Sequence, residues 1–346
     1  MKKLEDILFK NTEYFFIAEI GNNHQGDINI AKEMISTAKR CGVQAVKFQK
    51  RNNKTLLSKE LYNKPYDNVD SFGDTYGKHR EALEFNFDQY IELMEHAKKE
   101  NIVMFATAID VDSVGFLEEV GNPIYKIASA DLDNEPLIEC VSQKNKPIII
   151  STGAGDLNQI KRSYDIIKKY NPYPPIIMQC TCMYPVHYDK VNLRVIETYK
   201  KLFSDALIGY SGHDNGIVLP IVAYMLGARV FEKHFTLNRA WRGADNKFSL
   251  EPTGLSKSIR DLNRAILSLG DGEKRIYEEE IGARVKLGKS IYSRKKLPKG
   301  KKISLEDICC KSPAGGISPS KLHDIIGLLV NRDIDADEKI LQSDLI

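Results

Sequence analysis

The sequence lacks the features that would assign it to several large classes of protein. Its 346 residues contain no run of about 18 apolar residues, so no membrane span is expected. The first 21 residues, MKKLEDILFKNTEYFFIAEIG, carry acidic side chains where a signal peptide needs an unbroken apolar segment. We therefore expect a cytoplasmic protein that does not bind a membrane.

An excess of charge of one sign is also absent. The 50 basic and 47 acidic residues leave a formal net charge of only +3, and no basic tract dominates the chain. Nucleic-acid binding is therefore not expected, and any anionic ligand must be held by locally placed groups. The hydrophobic content of 42% and the charged content of 28% are those of an ordinary folded protein.

The six cysteines do not form a metal-binding or disulfide pattern. Cys180 and Cys182 form a C-x-C, and Cys309 and Cys310 are adjacent, and neither is a zinc-ribbon spacing. Reduced thiols are the default in a cytoplasmic chain of this length. We interpret the cysteines as structural or incidental rather than as a soft-metal site.

Apolar runs alternate with amphipathic segments along the first three-quarters of the chain. Eight of these runs are predicted as strands, at residues 14–20, 45–49, 102–108, 124–129, 147–152, 175–180, 206–211 and 229–235. Near-continuous apolar strands indicate a parallel sheet covered on both faces. Eight strand–helix units in roughly 250 residues match a closed (β/α)₈ barrel. A doubly wound open sheet is the alternative, but no G-x-G-x-x-G turn follows the first strand.

The end of the chain differs in character from the rest. After the predicted closing helix at 254–270, a highly charged segment leads into short β-type runs and glycine-rich turns. We predict a barrel domain at 1–270, a linker at 271–286 and a small β-rich domain at 287–346.

Every predicted strand ends in polar residues. In chain order these are Glu19, Lys47, Gln49, Thr107, Lys126, Ser129, Ser151, Thr181, Tyr184, Ser211, His213, Glu232 and His234. Taken singly, each has a structural explanation, because hydroxyls cap helices and a barrel lysine can pair with a carboxylate. Polar ends on all eight strands favour a site, since these ends meet at the rim where barrel enzymes place their chemistry.

The residue types indicate which chemistry this rim supports. Lys47, Lys126 and the hydroxyl groups suit a phosphorylated or carboxylated anion. His213 and His234 on neighbouring strand ends, near a carboxylate, suit an open divalent-metal site, whereas a lone barrel histidine would be a core residue. Glu19 is a candidate acid/base or an acceptor for a hydroxylated substrate.

Several segments together resemble the sialic acid synthase family, which makes nonulosonic acids from phosphoenolpyruvate and an aldose. They are IAEIGNNHQGD, AVKFQ, YGKHREALEF, YKIASADLDNEPL, STGAG, QCTCMYPV, GYSGHDNG, EKHFTL and GADNKFSLEP. The later segment KSPAGGISPSKLHDIIG is similar to the antifreeze-like SAF domain of that family. The resemblance covers nearly the whole chain and implies a TIM barrel followed by an SAF domain.

The resemblance also implies site roles. His213 and His234 match the ligands of a divalent ion, typically Mn²⁺, with Mg²⁺ or Co²⁺ as alternatives. The positions that match the phosphoenolpyruvate-binding residues are Lys47, Thr107, Lys126, Ser129, Ser151, Thr181 and Ser211. The positions on the sugar side are Glu19, Gln49, Tyr184 and Asp245, and Glu19 is expected to handle a proton.

The implied reaction joins phosphoenolpyruvate to an open-chain N-acylated hexosamine. It releases phosphate by C–O cleavage and gives a 2-keto-3-deoxy nine-carbon acid. N-acetylmannosamine, its 6-phosphate and a legionaminic- or pseudaminic-type precursor are the candidate acceptors. A metal-dependent aldolase or hydrolase and a non-catalytic carbohydrate-binding protein remain as alternatives. The family also implies a domain-swapped homodimer in which the SAF domain covers the partner's barrel.

Three positions depart from the family pattern. Asn246 stands where the family often has histidine, Cys182 where it has Ser or Asn, and Ser312 where it has an arginine that reaches the neighbouring sugar pocket. We expect metal binding to survive the first change, since both inferred ligands lie elsewhere.

Overall fold

The computed structural model describes residue 8 and residues 13–346. The N-terminal segment interpreted above as unlike a signal peptide lies partly outside these residues. Eight parallel strands close into a barrel in the order β1 to β8. They are Phe15–Gly21, Ala45–Lys50, Val103–Ala108, Tyr125–Ile127, Ile148–Ser151, Ile176–Cys180, Leu207–Gly212 and Val230–His234. The predicted closed barrel is confirmed, and the open sheet is wrong because β1 pairs with both β2 and β8.

Helices follow the strands and cover the outside of the barrel. Within the barrel unit α1 to α11 are Ile28–Cys41, Asn53–Leu56, Lys59–Asn63, Tyr76–Glu81, Phe87–Lys99, Val111–Glu119, Glu135–Ser142, Leu157–Tyr170, Val195–Leu202, Leu219–Met225 and Pro252–Leu269. The predicted stop of the first one is present, because Gly42 takes the left-handed conformation with φ 95° and donates its N–H to the carbonyl of Lys39. Across the described residues, no helix is both long enough and apolar enough to cross a membrane.

The barrel interior is apolar at the N-terminal end of the strands. The buried strand residues of this interior cluster come from six of the strands and are Phe15, Ile17, Ala45, Phe105, Ile149, Ile176, Met178 and Val230. Because strand side chains alternate between the two faces, the next inward positions toward the C-terminal end are two residues further along each strand. Glu19, Lys47, Thr107, Ser151 and Glu232 occupy such positions. The apolar layers thus form a floor beneath a polar layer.

Predicted strand boundaries agree within one residue at every strand end but one. The fourth strand was expected at 124–129, but β4 ends at Ile127 because the chain turns into a 3₁₀ helix at Ser129–Asp131. Ser129 therefore follows the strand rather than ending it.

The chain divides into two compact units, residues 1–269 and 270–346. The second unit contains α12 (Glu278–Leu287), an antiparallel pair β9 (Ser290–Ser293) and β10 (Ile308–Lys311), and the short α13 (Leu322–Ile325). Its own apolar core is built largely of isoleucine, including Ile291, Ile303, Ile308, Ile317, Ile325, Ile334 and Ile340. The predicted small β-rich domain is confirmed, while the limits of the linker at 271–286 stay a prediction.

Candidate active site

Two lysines and two carboxylates form a polar layer directly above the apolar floor. Lys47 Nζ lies 2.7 Å from Glu19 Oε2 and donates to Thr107 Oγ1 at 2.8 Å. On its other side it lies 3.8 Å from Glu232 Oε1, and Lys126 Nζ lies 3.7 Å from the same oxygen. All five side chains are almost fully buried. The two lysines therefore converge on one buried carboxylate, that of Glu232.

Burial and mutual charge set the protonation of this layer. Burial raises the pKa of Glu19 to about 7 against the opposing charge of Lys47. Burial pushes the pKa of Lys47 down, but the charges of Glu19 and Glu232 outweigh it and raise the pKa overall. For Glu232 burial acts upward, yet Lys126 and Lys47 lower its pKa. Burial lowers the pKa of Lys126, whereas the raised pKa of Glu19 reduces the negative charge beside the two lysines, which favours an anion.

Two imidazoles stand beside this layer at the ends of β7 and β8. The ring centroids of His213 and His234 are 5.4 Å apart. The ring of Tyr184 lies 4.2 Å from that of His213, and Phe248 lies 4.9 Å from His234. Burial, followed by the charge of His234, lowers the pKa of His213 to about 4, and burial likewise lowers the pKa of His234. Both rings are therefore neutral at pH 7.

Each of the two histidines has one feature that suits a metal ligand. His213 Nδ1 is 3.0 Å from the carbonyl oxygen of Thr181, so this nitrogen carries the proton and Nε2 keeps its lone pair. His234 Nδ1 is buried without a hydrogen-bond partner among the described residues, and Asp245 Oδ2 lies 3.9 Å from it. In that same part of the chain, no group of three or more His, Cys, Asp and Glu could hold an ion. A metal held by these two imidazoles alone would keep exchangeable positions for water or substrate.

The predicted sugar-side residues lie around the same opening. Gln49 Nε2 donates to Glu19 Oε1 at 2.9 Å, so the amide and the carboxyl form one polar edge. Tyr184 is 54% exposed and stands over the histidine pair. Asp245 lies beside His234, and its backbone carbonyl accepts a hydrogen bond from Ser249 Oγ at 2.6 Å. Of these four residues, Glu19 belongs to the buried charged layer and Gln49 bonds to it, while Tyr184 and Asp245 lie beside the imidazoles.

The predicted hydroxyl groups do not all take part in the same way. Ser211 Oγ donates to Glu232 Oε1 at 3.3 Å and so joins the charged layer. Ser129 Oγ accepts from the N–H of Gly153, and Ser151 Oγ is buried without a hydrogen-bond partner among the described residues. Thr181 Oγ1 instead donates to a backbone carbonyl, that of Lys190, at 3.1 Å. The structure thus brings Thr181 to the site through its own carbonyl on His213, not through its hydroxyl.

Two of the departures from the family pattern, Asn246 and Cys182, lie in the barrel unit. Asn246 is fully buried, where it accepts from Thr236 Oγ1 at 2.6 Å and donates to the carbonyl of Arg242 at 2.9 Å. It ties together the loop after β8 and does not contact either imidazole through these bonds. Cys182 Sγ and Ser129 Oγ pack over Gly153, where an added Cβ would lie 2.4 and 2.9 Å from them.

Glu232 lies in the site, although the resemblance to the sialic acid synthases assigned it no role. It is 5% exposed, contacts both lysines and leaves Oε2 without a hydrogen-bond partner among the described residues. Its position could be found from the sequence, because residues two apart on a strand face the same side and His234 was already assigned to the site.

The arrangement defines a class of protein before any comparison is made. Barrels of this kind place chemistry at the C-terminal rim, and here that rim offers basic groups beside unprotonated imidazoles. The class is a (β/α)₈ barrel enzyme that binds an anionic substrate.

Comparison with known proteins identifies the family. The sequence profile of the NeuB family matches residues 34–274, and that of the SAF domain matches residues 288–346. This chain belongs to the NeuB family, so the predicted membership of the sialic acid synthases is confirmed, and it is a transferase.

The sequences of individual relatives align with this chain over nearly its full length. The chain is 39% identical to N-acetylneuraminate-9-phosphate synthase of Mus musculus, over 95% of this chain and 91% of that protein. It is 34% identical to N,N'-diacetyllegionaminic acid synthase of Campylobacter jejuni, over 94% of this chain and 98% of that protein. Among solved structures, N-acetylneuraminic acid synthetase of Leptospira borgpetersenii in complex with citrate superposes with a TM-score of 0.68 at 33% identity, covering 79% of this chain and 90% of that one.

Proposed function

We propose that the protein condenses phosphoenolpyruvate with the open-chain aldehyde of an N-acylated hexosamine. The product is a 2-keto-3-deoxy nine-carbon acid, and the second product is phosphate. The observation that carries this proposal is the convergence of Lys47 and Lys126 on one buried carboxylate, at 3.8 and 3.7 Å, next to a neutral histidine pair. Basic groups that would hold an enol phosphate thus lie next to imidazoles that would hold a metal.

The acceptor is proposed to be N-acetylmannosamine or its 6-phosphate. Three relatives, from mouse, human and Drosophila, are named N-acetylneuraminate-9-phosphate synthase, which supports a phosphorylated acceptor. Relatives named for legionaminic and pseudaminic acids support a wider range of N-acylated sugars. The polar edge of Glu19, Gln49 and Asp245 offers acceptors for the hydroxyl groups that all these sugars share.

The charged layer would bind phosphoenolpyruvate. Lys47 and Lys126 offset the charges of its phosphate and carboxylate, both in the bound substrate and as charge develops. Thr107 accepts from Lys47 and so keeps its hydroxyl hydrogen for the anion, Ser151 Oγ is buried without a hydrogen-bond partner among the described residues, and Ser211 would turn its hydroxyl from Glu232 to the anion. Because burial keeps Glu19 partly protonated near neutral pH, it adds less negative charge to this pocket than an exposed glutamate would.

His213 and His234 would hold the divalent ion, for which Mn²⁺ is the proposed identity. Such an ion, when bound, supplies Lewis-acid polarisation of the aldehyde oxygen. The fixed tautomer of His213 and the unpartnered Nδ1 of His234 are the features of this chain that suit them to that task.

The reaction then follows from the placement of these groups. C3 of the enol attacks the aldehyde carbon, and positive charge develops at C2. Water adds at C2, and the resulting tetrahedral intermediate expels phosphate with cleavage of the C–O bond. Glu19 would accept or return a proton, a role that its raised pKa of about 7 supports.

One assay separates this proposal from its rivals. Phosphate release from phosphoenolpyruvate is measured with a panel of N-acyl hexosamines and their 6-phosphates, with and without Mn²⁺. Release that requires both the sugar and the metal supports the synthase. A Schiff-base aldolase would instead be trapped on Lys47 or Lys126 by borohydride with substrate, and a carbohydrate-binding protein would release no phosphate.

We also propose a cytoplasmic, domain-swapped homodimer in which the second unit covers the barrel of a partner chain. A cover of this kind would exclude water from the reaction. The homodimer predicts a solution mass of about 78 kDa, twice the 39.2 kDa of the chain, and light scattering measures it directly.

A further inference from the structure

A buried ion pair lies on the outer face of β8. Lys233 stands between Glu232 and His234, so its side chain points away from the barrel interior. Its Nζ donates to Oδ1 and to the backbone oxygen of Asp214, each at 2.7 Å. The hydroxyl of Tyr210 donates to the same Oδ1 at 3.0 Å. Lys233 is 2% exposed and Asp214 is fully buried, so this pair is as deeply placed as the site itself.

The pair joins the two chain segments that carry the imidazoles. The last residue pair of the β7–β8 ladder is Gly212 with Lys233, and His213 comes directly after it. The backbone carbonyl and the ring of His213 are bonded to the loop after β6, not to β8. Lys233 extends past the end of the ladder to Asp214, the residue that follows His213 in the chain. The residue that follows Lys233 in the chain is His234. One lysine therefore links the residues adjacent to both histidines.

Physical chemistry makes this link a strong one. A buried carboxylate is costly unless a positive charge and hydrogen bonds compensate it. Asp214 Oδ2 has no hydrogen-bond partner within the described part of the chain, so the ammonium of Lys233 is its main compensation. The ion pair with Lys233 therefore restricts the position of Asp214, and with it the backbone of the adjacent residue His213.

We propose that Lys233 is a positioning residue, which through Asp214 fixes His213 at the separation from His234 that lets both bind one divalent ion. The metal role of the two histidines rests on the proposed function, whereas the fixed geometry of the rings does not. Residues that orient metal ligands in this way typically change metal affinity 10- to 100-fold when mutated.

The experiment compares Lys233→Met with Lys146→Met in the full chain. Lys146 is the control because it pairs with Glu118, which also accepts a hydrogen bond from a buried tyrosine, Tyr125, although this pair is partly exposed. Two readouts are taken without substrate, the imidazole ¹⁵N shifts of metal-free protein and the Kd for Mn²⁺ from electron paramagnetic resonance. We expect Lys233→Met to weaken Mn²⁺ binding about 10- to 100-fold. In the same variant the ¹⁵N shifts of the two ring nitrogens of His213 should move toward each other, because the ring is no longer held in one tautomer by Thr181. Lys146→Met should change neither the Mn²⁺ affinity nor the ring shifts.

A milder pair of variants covers the case in which Lys233→Met does not fold. Tyr210→Phe removes one hydrogen bond to Asp214, and Tyr125→Phe removes the corresponding bond to Glu118. Only the former should weaken Mn²⁺ binding, by about threefold. The proposal is overturned if Tyr210→Phe leaves both the ring shifts and the Kd for Mn²⁺ within the error of wild type. It is also overturned if Lys233→Met folds and its Kd for Mn²⁺ stays within twofold of wild type with unchanged ring shifts. A wild-type protein that does not bind Mn²⁺ refutes the metal assignment instead, and the ring shifts alone then decide the positioning role.

Discussion

Replacing Lys126 by methionine should impair the use of phosphoenolpyruvate without unfolding the barrel. Lys126 is 3% exposed, and its nearest charged neighbour is Glu232 at 3.7 Å, beyond hydrogen-bond range. Glu232 would keep Lys47 at 3.8 Å and the hydroxyl of Ser211 at 3.3 Å, so its charge stays compensated. Methionine also fills much of the space of the lysine stem, which limits the loss of packing.

The size of the effect follows from the contact that is lost. A hydrogen bond to a charged group contributes about 1.5–3 kcal/mol, which corresponds to about a 10- to 140-fold fall in kcat/KM for phosphoenolpyruvate. The assay is phosphate release at varied phosphoenolpyruvate and saturating sugar. Lys146→Met, which removes a lysine paired with Glu118 on the outside of the barrel, serves as the control and should leave the saturation curve unchanged. A wild-type curve for Lys126→Met would refute the assignment of this lysine to the substrate anion.

Three further predictions test other parts of the account. His234→Ala should abolish metal-dependent phosphate release while the melting temperature stays within a few degrees, and full activity at limiting Mn²⁺ would remove His234 from the site. The hydrogen bond with Cys180 lowers the pKa of Cys182 to about 6, so alkylation by iodoacetamide followed by mass spectrometry should show a midpoint near pH 6, and a midpoint near the usual 8.5 would contradict it. Asp307→Asn should destabilise the second unit by about 1–3 kcal/mol at pH 7, because Asp307 accepts two hydrogen bonds from Ser304 and pairs with Lys295 at 2.9 Å. The pKa of Asp307 is lowered, so the difference from wild type should shrink as pH falls below about 4, and hydrogen exchange of residues 287–346 measures it.

The pattern of the strands was enough to predict the barrel and the side of the barrel that carries the site. Alternation along a strand assigns Glu19, Lys47 and His234 to the interior, and closure of the sheet brings them together. Neither inference needs a side-chain conformation. Both depend only on the period of a strand and on the common direction of parallel strands.

Side-chain partners could not be predicted in this way. Thr181 is placed correctly at the end of β6, yet its hydroxyl bonds to the carbonyl of Lys190, a choice made by the loop that follows. Lys233 and Asp214 are 19 residues apart, and their pairing depends on how far the chain after β7 folds back over β8. The sequence shows a lysine on the outer face of a strand but not the buried carboxylate that meets it. Loop conformation, rather than strand pattern, decided both cases.

The most direct test of the proposed chemistry uses phosphoenolpyruvate labelled with ¹⁸O in the bridging C–O–P position. The protein is incubated with this substrate, Mn²⁺ and N-acetylmannosamine or its 6-phosphate, and both products are weighed by mass spectrometry. The account predicts ¹⁸O in the released phosphate and a nine-carbon keto acid without the label. Label retained in the organic product, or phosphate released at the same rate without the sugar, would contradict it.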